Sequence, residues 1–230
     1  MTASPHTLPH VTEPAFDYRV RRSDRARRVR VRVDQERGVE VVLPRRAAER
    51  EAAAAIRELR PWIERRIAEL QRTRDAVAAR GATVPYLGET LRLVPESGRA
   101  RVHRRDGALL VPAEEDHRPA LERWFRRQAR AEIAPRLDAA TAAAGTRYAG
   151  LTIRGQRTRW ASCSAAGAMS FNWRLLLAPA PVLDYVVWHE VCHLEVMDHS
   201  PRFWALLAER WPDYRDHAGW LRRHGATLVL

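Results

Sequence analysis

Apolar and polar residues alternate with a period of two between residues 16 and 43. "FDYRVRRS", "RRVRVRVD" and "GVEVVLP" each place an apolar side chain at every second position, the pattern of a strand with one buried face. Gly38 marks a hairpin between the second and third runs, and Arg28, Arg30 and Arg32 fill the outward face of the second. An antiparallel meander is expected here. From about Ala47 to Arg80 the period becomes helical, through "AAEREAAAAIRELR" and "PWIERRIAELQRTRDAVAAR". Pro61 suits a first helical position better than an interior one, so two helices should meet there, and Gly81 should end the second.

"VPYLGETLRLVPESG" and "ARVHRRDGALLVP" read as two hairpins turning at Gly88–Glu89 and Asp106–Gly107. A long amphipathic helix follows over about Arg118–Ala144, with Pro135 expected to kink or divide it and Gly145 to close it. Strands are expected in "GLTIRGQRTRWASCS" and "AMSFNWRLLLAP", with a turn around Ala166–Gly167. The second of them is a candidate sheet edge for an extended peptide. A buried helix should run from about Val182 to Met197. Another opens with Ser200 as N-cap and Pro201 at its first position, stops at Pro212, and is followed by a short helix over Tyr214–His224. The fold class is α+β. The organisation expected is a disordered, Pro-rich tail over 1–15 that holds His6 and His10, a β-rich basic domain with a helical pair over 16–115, and a second domain over 116–230.

Composition narrows the classes. The 230 residues are 46% apolar with eight Trp, enough for a real core. No apolar run approaches the roughly 20 residues of a membrane span, and the N-terminus lacks the basic start and apolar core of a secretion signal. With only Cys163 and Cys192, both read as packed thiols, the expected location is the cytoplasm, away from membranes. The formal charge is +12 and every basic residue is Arg. That favours anionic partners, nucleic acid or nucleotides among them, although a solvated Arg-rich surface is the simpler reading.

The stretch "HEVCHLEVMDH" changes the picture. His189 and His193 are four apart, so on a helix they share one face and can approach one metal. Glu190 projects beside that face, where it can reach a water without ligating, the arrangement of HExxH with Glu as general base. His199 lies among the turn signals Asp198, Ser200 and Pro201, so the chain can bring it back to complete a three-His set with a fourth position open, as catalytic zinc needs. Glu209 on the next helix is the alternative third ligand, whereas Glu195 and Cys192 point away. A chance HExxH would arise in roughly one such sequence in 40, and with a third His at this offset in roughly one in 1,000. The flanking residues are apolar nearly all round, and three buried histidines without partners would be costly.

"RTRWASCS", "MSFNWRLLLAP", "DYVVWHEVCHL" and "DHSPRFW" resemble the YgjP-like predicted metal-dependent hydrolases, which are related in motif to SprT-like and WLM zinc proteases. The resemblance is strong over 150–211 and looser over the strand-rich start. It implies a minimal zincin-like core of long helix, small sheet, HExxH helix and following helices. It implies His189, His193 and His199 as Zn2+ ligands and Glu190 as catalytic base, with Arg159, Ser162 and Asn172 as cleft residues. Ala161 stands where the family usually has Gly, and Asp198 where it has Asn. The histidine spacing equals that of metzincins, but Val196 replaces their Gly and no Met-turn is visible. Trp160, Trp173 and Phe203 read as core, and His217 and His224 as surface helix positions. The expected function is a zinc-dependent hydrolase, a metallopeptidase acting on a peptide or protein. The alternatives are a metal-dependent nucleotide phosphoanhydride hydrolase and a nucleic-acid-associated zinc module. Oligomeric state is not legible in the sequence.

Overall fold

The computed structural model describes residues 16–34, 37–113, 116–156 and 158–230. The tail over 1–15, with His6 and His10, lies outside the described residues. The chain is α+β and packs as two compact units, residues 1–75 and 76–230. The division falls inside a helix rather than near residue 115. The sheet expected to belong to the first domain shares the second unit's core, where Val84, Leu91, Leu109 and Val111 pack with Phe125, Leu183 and Phe203.

The first unit is a three-stranded sheet covered by a helix. β1 (Tyr18–Ser23), β2 (Arg30–Asp34) and β3 (Gly38–Pro44) form a sheet in the order β1-β3-β2. The hairpin between β2 and β3 forms as expected, with Gly38 at φ 70°. The meander does not, because β1 runs parallel to β3. The segment 24–29 crosses from β1 to β2 past the Pro44 end of β3, so the two strands run antiparallel with β3 between them and never pair. Arg28 lies in that connection, outside β2, so the expected row of three arginines is two strand residues and a loop residue. Val39, Val41 and Leu43 form the buried face of the sheet and pack against Ala52, Ile56 and Ile63 of α1 (Glu49–Ala78).

α1 is one helix, not two, and it passes through Pro61. Proline removes the N–H that would bond the carbonyl four residues back. Here that carbonyl belongs to Arg57, and both Arg57 and Pro61 are exposed, so the freed oxygen lies on the solvent side of the helix.

The second unit is built on two small sheets and four helices. β4 (Thr83–Tyr86), β5 (Glu89–Glu96), β6 (His103–Arg105) and β7 (Ala108–Pro112) pair in the order β4-β5-β7-β6. The two hairpins form, but the first turns at Leu87–Gly88, one residue earlier than expected. Leu87 and Gly88 take φ 50° and 98°, and Asp106 and Gly107 take φ 49° and 71°, the positive angles of a two-residue hairpin turn. α2 (Arg118–Ala143) is uninterrupted at Pro135, which is exposed as is Ala131 four residues before it, and Gly145 closes it at φ 64°. Ala129, Ile133 and Leu137 give it a fully buried stripe.

β8 (Gly150–Arg154), β9 (Ala161–Cys163) and β10 (Ala168–Asn172) form the second sheet in the order β8-β10-β9. β10 is therefore the central strand, not the edge expected from the sequence; β8 runs parallel to it and β9 antiparallel. A 3-10 turn over Trp173–Leu177 leads into α3 (Ala180–Cys192), followed by α4 (Pro201–Arg210) and α5 (Tyr214–His224). None of the helices among the described residues is long and apolar enough to cross a membrane.

Candidate metal centre

α3 is buried on almost every side, through Val182, Leu183, Val186, Val187, Val191 and Cys192, which fixes its rotation. His189 and Glu190 lie in its last turn. The helix stops at Cys192, five residues before the end expected from the apolar pattern, and His193 is its C-cap. The reason is a tightening of the chain. Leu194 N–H bonds Val191 O and Glu195 N–H bonds Cys192 O, three residues back rather than four. His193 Nδ1 meets Val196 O at 3.0 Å, and because a carbonyl only accepts, the proton sits on Nδ1 and the Nε2 lone pair is free. The chain then turns: Asp198 Oδ1 accepts the Ser200 N–H, and α4 begins at Pro201. Ser200 occupies the N-cap position with extended backbone, but its side chain makes no capping bond.

This turn carries His199 back to the helix. One nitrogen from each of His189, His193 and His199 lies within 4.8 Å of the others. His189 Nε2 and His199 Nε2 are 3.0 Å apart. Two nitrogens at ~2.0–2.1 Å from one tetrahedral metal would be roughly 3.3 Å apart, so the cluster has the span of a single coordination sphere. Neither Glu195 nor Glu209 belongs to it. Glu195 pairs with Arg210, and the Cys192 thiol also faces Arg210.

Phe203, fully buried, lies against all three rings, with centroids 4.9, 4.5 and 4.8 Å from His189, His193 and His199 and a stacked orientation on His193. The sequence marked it as core. Its spacing to His199, four residues along the chain into a helix start, is the signal that it also serves the cluster. Trp204 leans on the outer side of His199 at 5.5 Å and stacks on Tyr214.

The electrostatics follow from burial. Burial, with the neighbouring His193 and His199, pushes the His189 imidazolium down to about 3, so the ring is neutral. Burial lowers His193 as well. Burial pushes the Glu190 carboxyl up to about 8, against a hydrogen bond from the Cys163 backbone N–H that favours its charged form. His189 Nδ1 and Glu190 Oε2 are buried without a hydrogen-bond partner. Orphaned buried polar atoms cost about 1–3 kcal/mol each, and two adjacent in one site are the mark of groups held ready for a ligand or a proton. The donor set, three imidazoles whose ring nitrogens converge beside a buried carboxyl, fits a divalent metal.

The other expected residues are not brought to the cluster. Asn172 is 2% exposed and fully engaged. Its Nδ2 donates to Gln156 O and Arg159 O, and its Oδ1 accepts from Arg174 N–H, so it supports the loop before β9 rather than lining a cleft. Ser162 bonds Ser170 across the β9–β10 pair, on the sheet face opposite Met169 and Phe171. Arg159 is exposed in the bend before β9, joined to the site only through its backbone oxygen on Asn172. Trp173 is buried and Trp160 partly so, as read from the sequence. His217 is more than a surface position: its Nδ1 accepts from Trp211 Nε1 at 3.0 Å and its ring stacks on Tyr185.

No curated protein matches the chain significantly. A solved structure with detectable likeness is the metallopeptidase zymogen of Pyrococcus abyssi abylysin, 23% identical over 40% of this chain and 96% of that one. Its TM-score of 0.34 is too low to bear on the fold. The YgjP-like, metallopeptidase domain family model matches residues 27–224, nearly the whole chain, and the protein therefore belongs to the YgjP-like family of metallopeptidases.

Proposed function

We propose that the protein is a zinc-dependent peptidase in which His189, His193 and His199 hold the metal and Glu190 is the general base. The observation that carries this reading is the convergence of three imidazoles, with ligand nitrogens within 4.8 Å of one another, beside a buried carboxyl with an unpaired oxygen. When bound, zinc supplies a Lewis acid that lowers the pKa of water from 15.7 towards about 7 and polarises the scissile carbonyl. The chain's own residues do the rest. His193 presents Nε2 because Val196 O holds the proton on Nδ1. Glu190 takes a proton from the attacking water as its oxygen bonds to the carbonyl carbon. It then delivers that proton to the leaving nitrogen as the C–N bond breaks, giving a carboxylate and an amine. The Cys163 N–H aims the carboxyl during both transfers.

A peptide fits the surroundings. In the β9–β10 pair, Asn172 N–H bonds Trp160 O and Ser164 N–H bonds Ala168 O, so the alternate residues Ala161 and Cys163 turn their backbone groups to the open edge. One of those groups, the Cys163 N–H, already meets Glu190. An extended substrate paired to β9 would thus run past the base with its carbonyls in register. The alternative readings, a nucleotide phosphoanhydride hydrolase and a nucleic-acid-associated zinc module, draw no support from an edge strand beside an unpaired buried carboxyl.

The test uses the zinc-loaded protein on a peptide library. Glu190→Gln should retain stoichiometric zinc and lose 10²–10⁴-fold in cleavage rate, the usual contribution of a general base. His189→Ala and His193→Ala should lose the zinc. Full metal occupancy in both histidine variants, or wild-type turnover by the Gln variant, would refute the assignment.

A further inference from the structure

Half of the chain's net charge of +12 falls in its first third: residues 1–75 hold 18 Arg against 12 acidic residues. Within that unit it is denser still, since Tyr18–Asp34 contains eight Arg and two Asp. The sheet register says where these side chains stand. Arg19 pairs with Glu40 and Arg21 with Val42 on one side of β3; Arg32 pairs with Glu40 and Arg30 with Val42 on the other. Directly paired residues share a face. The face opposite the one α1 covers therefore carries two rows across three strands, Arg21–Val42–Arg30 and Arg19–Glu40–Arg32.

The arginines of the unit divide by use. Arg22, on the α1 side, donates to Arg45 O and Ala47 O, and Arg21 binds Glu40 at 3.1 Å. Arg45 pairs with Asp24. Arg19 donates to Arg37 O at 3.3 Å, whereas the side chains of Arg28, Arg30 and Arg32 are exposed and make no hydrogen bond or ion pair among the described residues. Val42 is 3% exposed between Arg21 and Arg30, as expected where aliphatic stems lie over it. At the Gly38 end of the sheet the basic surface continues into a depression of about 360 Å³, lined by Tyr18, Arg19, Arg37 and Arg74, with Asp17 beside them.

We propose that this outer sheet face, through Arg19, Arg30 and Arg32, holds the phosphate backbone of a single-stranded nucleic acid without reading its sequence. Neighbours along one face of a strand rise about 6.7 Å, twice the 3.4 Å axial spacing of phosphates in one nucleic-acid strand. β1 and β2 lie roughly 9.5 Å apart across β3, so the array is a regular set of planar cations with Glu40 inside it and Asp34 bordering it at the Gly38 end. Guanidinium groups bind phosphate oxygens bidentately. The face offers no exposed apolar side chain. An anionic membrane would be gripped through such side chains inserted beside the cations, and a stable protein interface would need an apolar core.

The experiment measures anisotropy of a labelled 20-nucleotide single strand with the full-length, zinc-loaded protein, from 50 to 300 mM salt. Three or four contacts predict a slope of log K against log salt near −2 to −3. The double variant Arg30→Gln, Arg32→Gln should bind at least about tenfold more weakly at 50 mM and lose about 1.4 from the slope, equally for oligonucleotides of different sequence. Arg118→Gln with Arg147→Gln removes the same charge from exposed sites in the other unit and should change neither. All four positions are exposed, so folding is preserved, and unchanged zinc content and melting temperature check this. The proposal is overturned by absence of binding at 50 mM salt, or by equal losses in the two double variants. Binding to phosphatidylserine vesicles or polyglutamate in place of the oligonucleotide also overturns it.

Discussion

Phe203 touches the three imidazoles of the candidate metal centre from within the core, and a ring in that place excludes water while fixing ring angles. Phe203→Leu should weaken zinc affinity 10–100-fold, read by competition with a chromophoric chelator. Phe125→Leu, equally buried but among Tyr86, Trp124 and Trp173, should cost stability and leave zinc affinity alone. Equal affinities in wild type and Phe203→Leu would reduce Phe203 to ordinary core. Glu190 and His189 contribute to the pH response of the metal-free protein with opposite signs, and the lowered His193 acts in the same sense as His189. The Glu190 carboxyl, raised from 4.5 to about 8, contributes fully below pH 4.5 and loses its contribution as pH rises to 8. His189, lowered from 6.5 to about 3, contributes fully above pH 6.5 and loses it as pH falls towards 3. The two slopes oppose between pH 4.5 and 6.5, and only that of Glu190 remains from 6.5 to 8. Chelated protein should therefore lose on the order of 2 kcal/mol across that upper window, by denaturant melts, and Glu190→Gln should be flat there. The approach of His189 and His193 was legible because a four-residue offset on a helix is geometry written in sequence. The carboxyl's anchor was not, since Cys163 contributes a backbone N–H from a distant strand, and a backbone group has no sequence signature.

Elements were legible where local chemistry decides and misread where the solvent does. The hairpin turn at Asp106–Gly107 and the stop at Gly145 follow from residues that accept positive φ. The two proline readings failed because the sequence does not say that the freed carbonyl is exposed. A consequence is measurable: Pro61→Ala restores a bond to Arg57 O in an otherwise regular helix and should stabilise the protein by about 1–3 kcal/mol, the interior-proline cost less the entropy that proline removes from the unfolded chain. An unchanged or lower denaturation midpoint would mean that α1 is bent at Pro61 to suit its packing. The parallel pairing of β1 with β3 escaped the sequence for a different reason. Alternation assigns faces but not partners, and 24–29 is long enough to pass the end of β3 and set β2 on its far side with a single reversal of direction. The early end of α3 escaped it too: apolar residues continue to Val196, and only the tightened bonds after Cys192 stop the helix.

For the whole molecule, the packing places the β4–β7 sheet in the same core as the candidate metal centre and sets β1–β3 with most of α1 in a unit of its own. A boundary in the middle of a helix leaves no composition shift to read, and the acidic "VPAEED" stretch near residue 115 was a plausible linker by composition alone. All three candidate ligands lie within the eleven residues 189–199. Nothing in that proximity depends on the remainder of the chain being folded, so the denatured protein keeps a loose chelating peptide of its own. Zinc then stabilises the native state only by the difference between its two affinities. The melting temperature should climb with added zinc and level off once the denatured chain is also saturated. A climb that continues without a plateau into the millimolar range would mean the isolated segment has no grip on the metal, and that the affinity belongs wholly to the folded architecture.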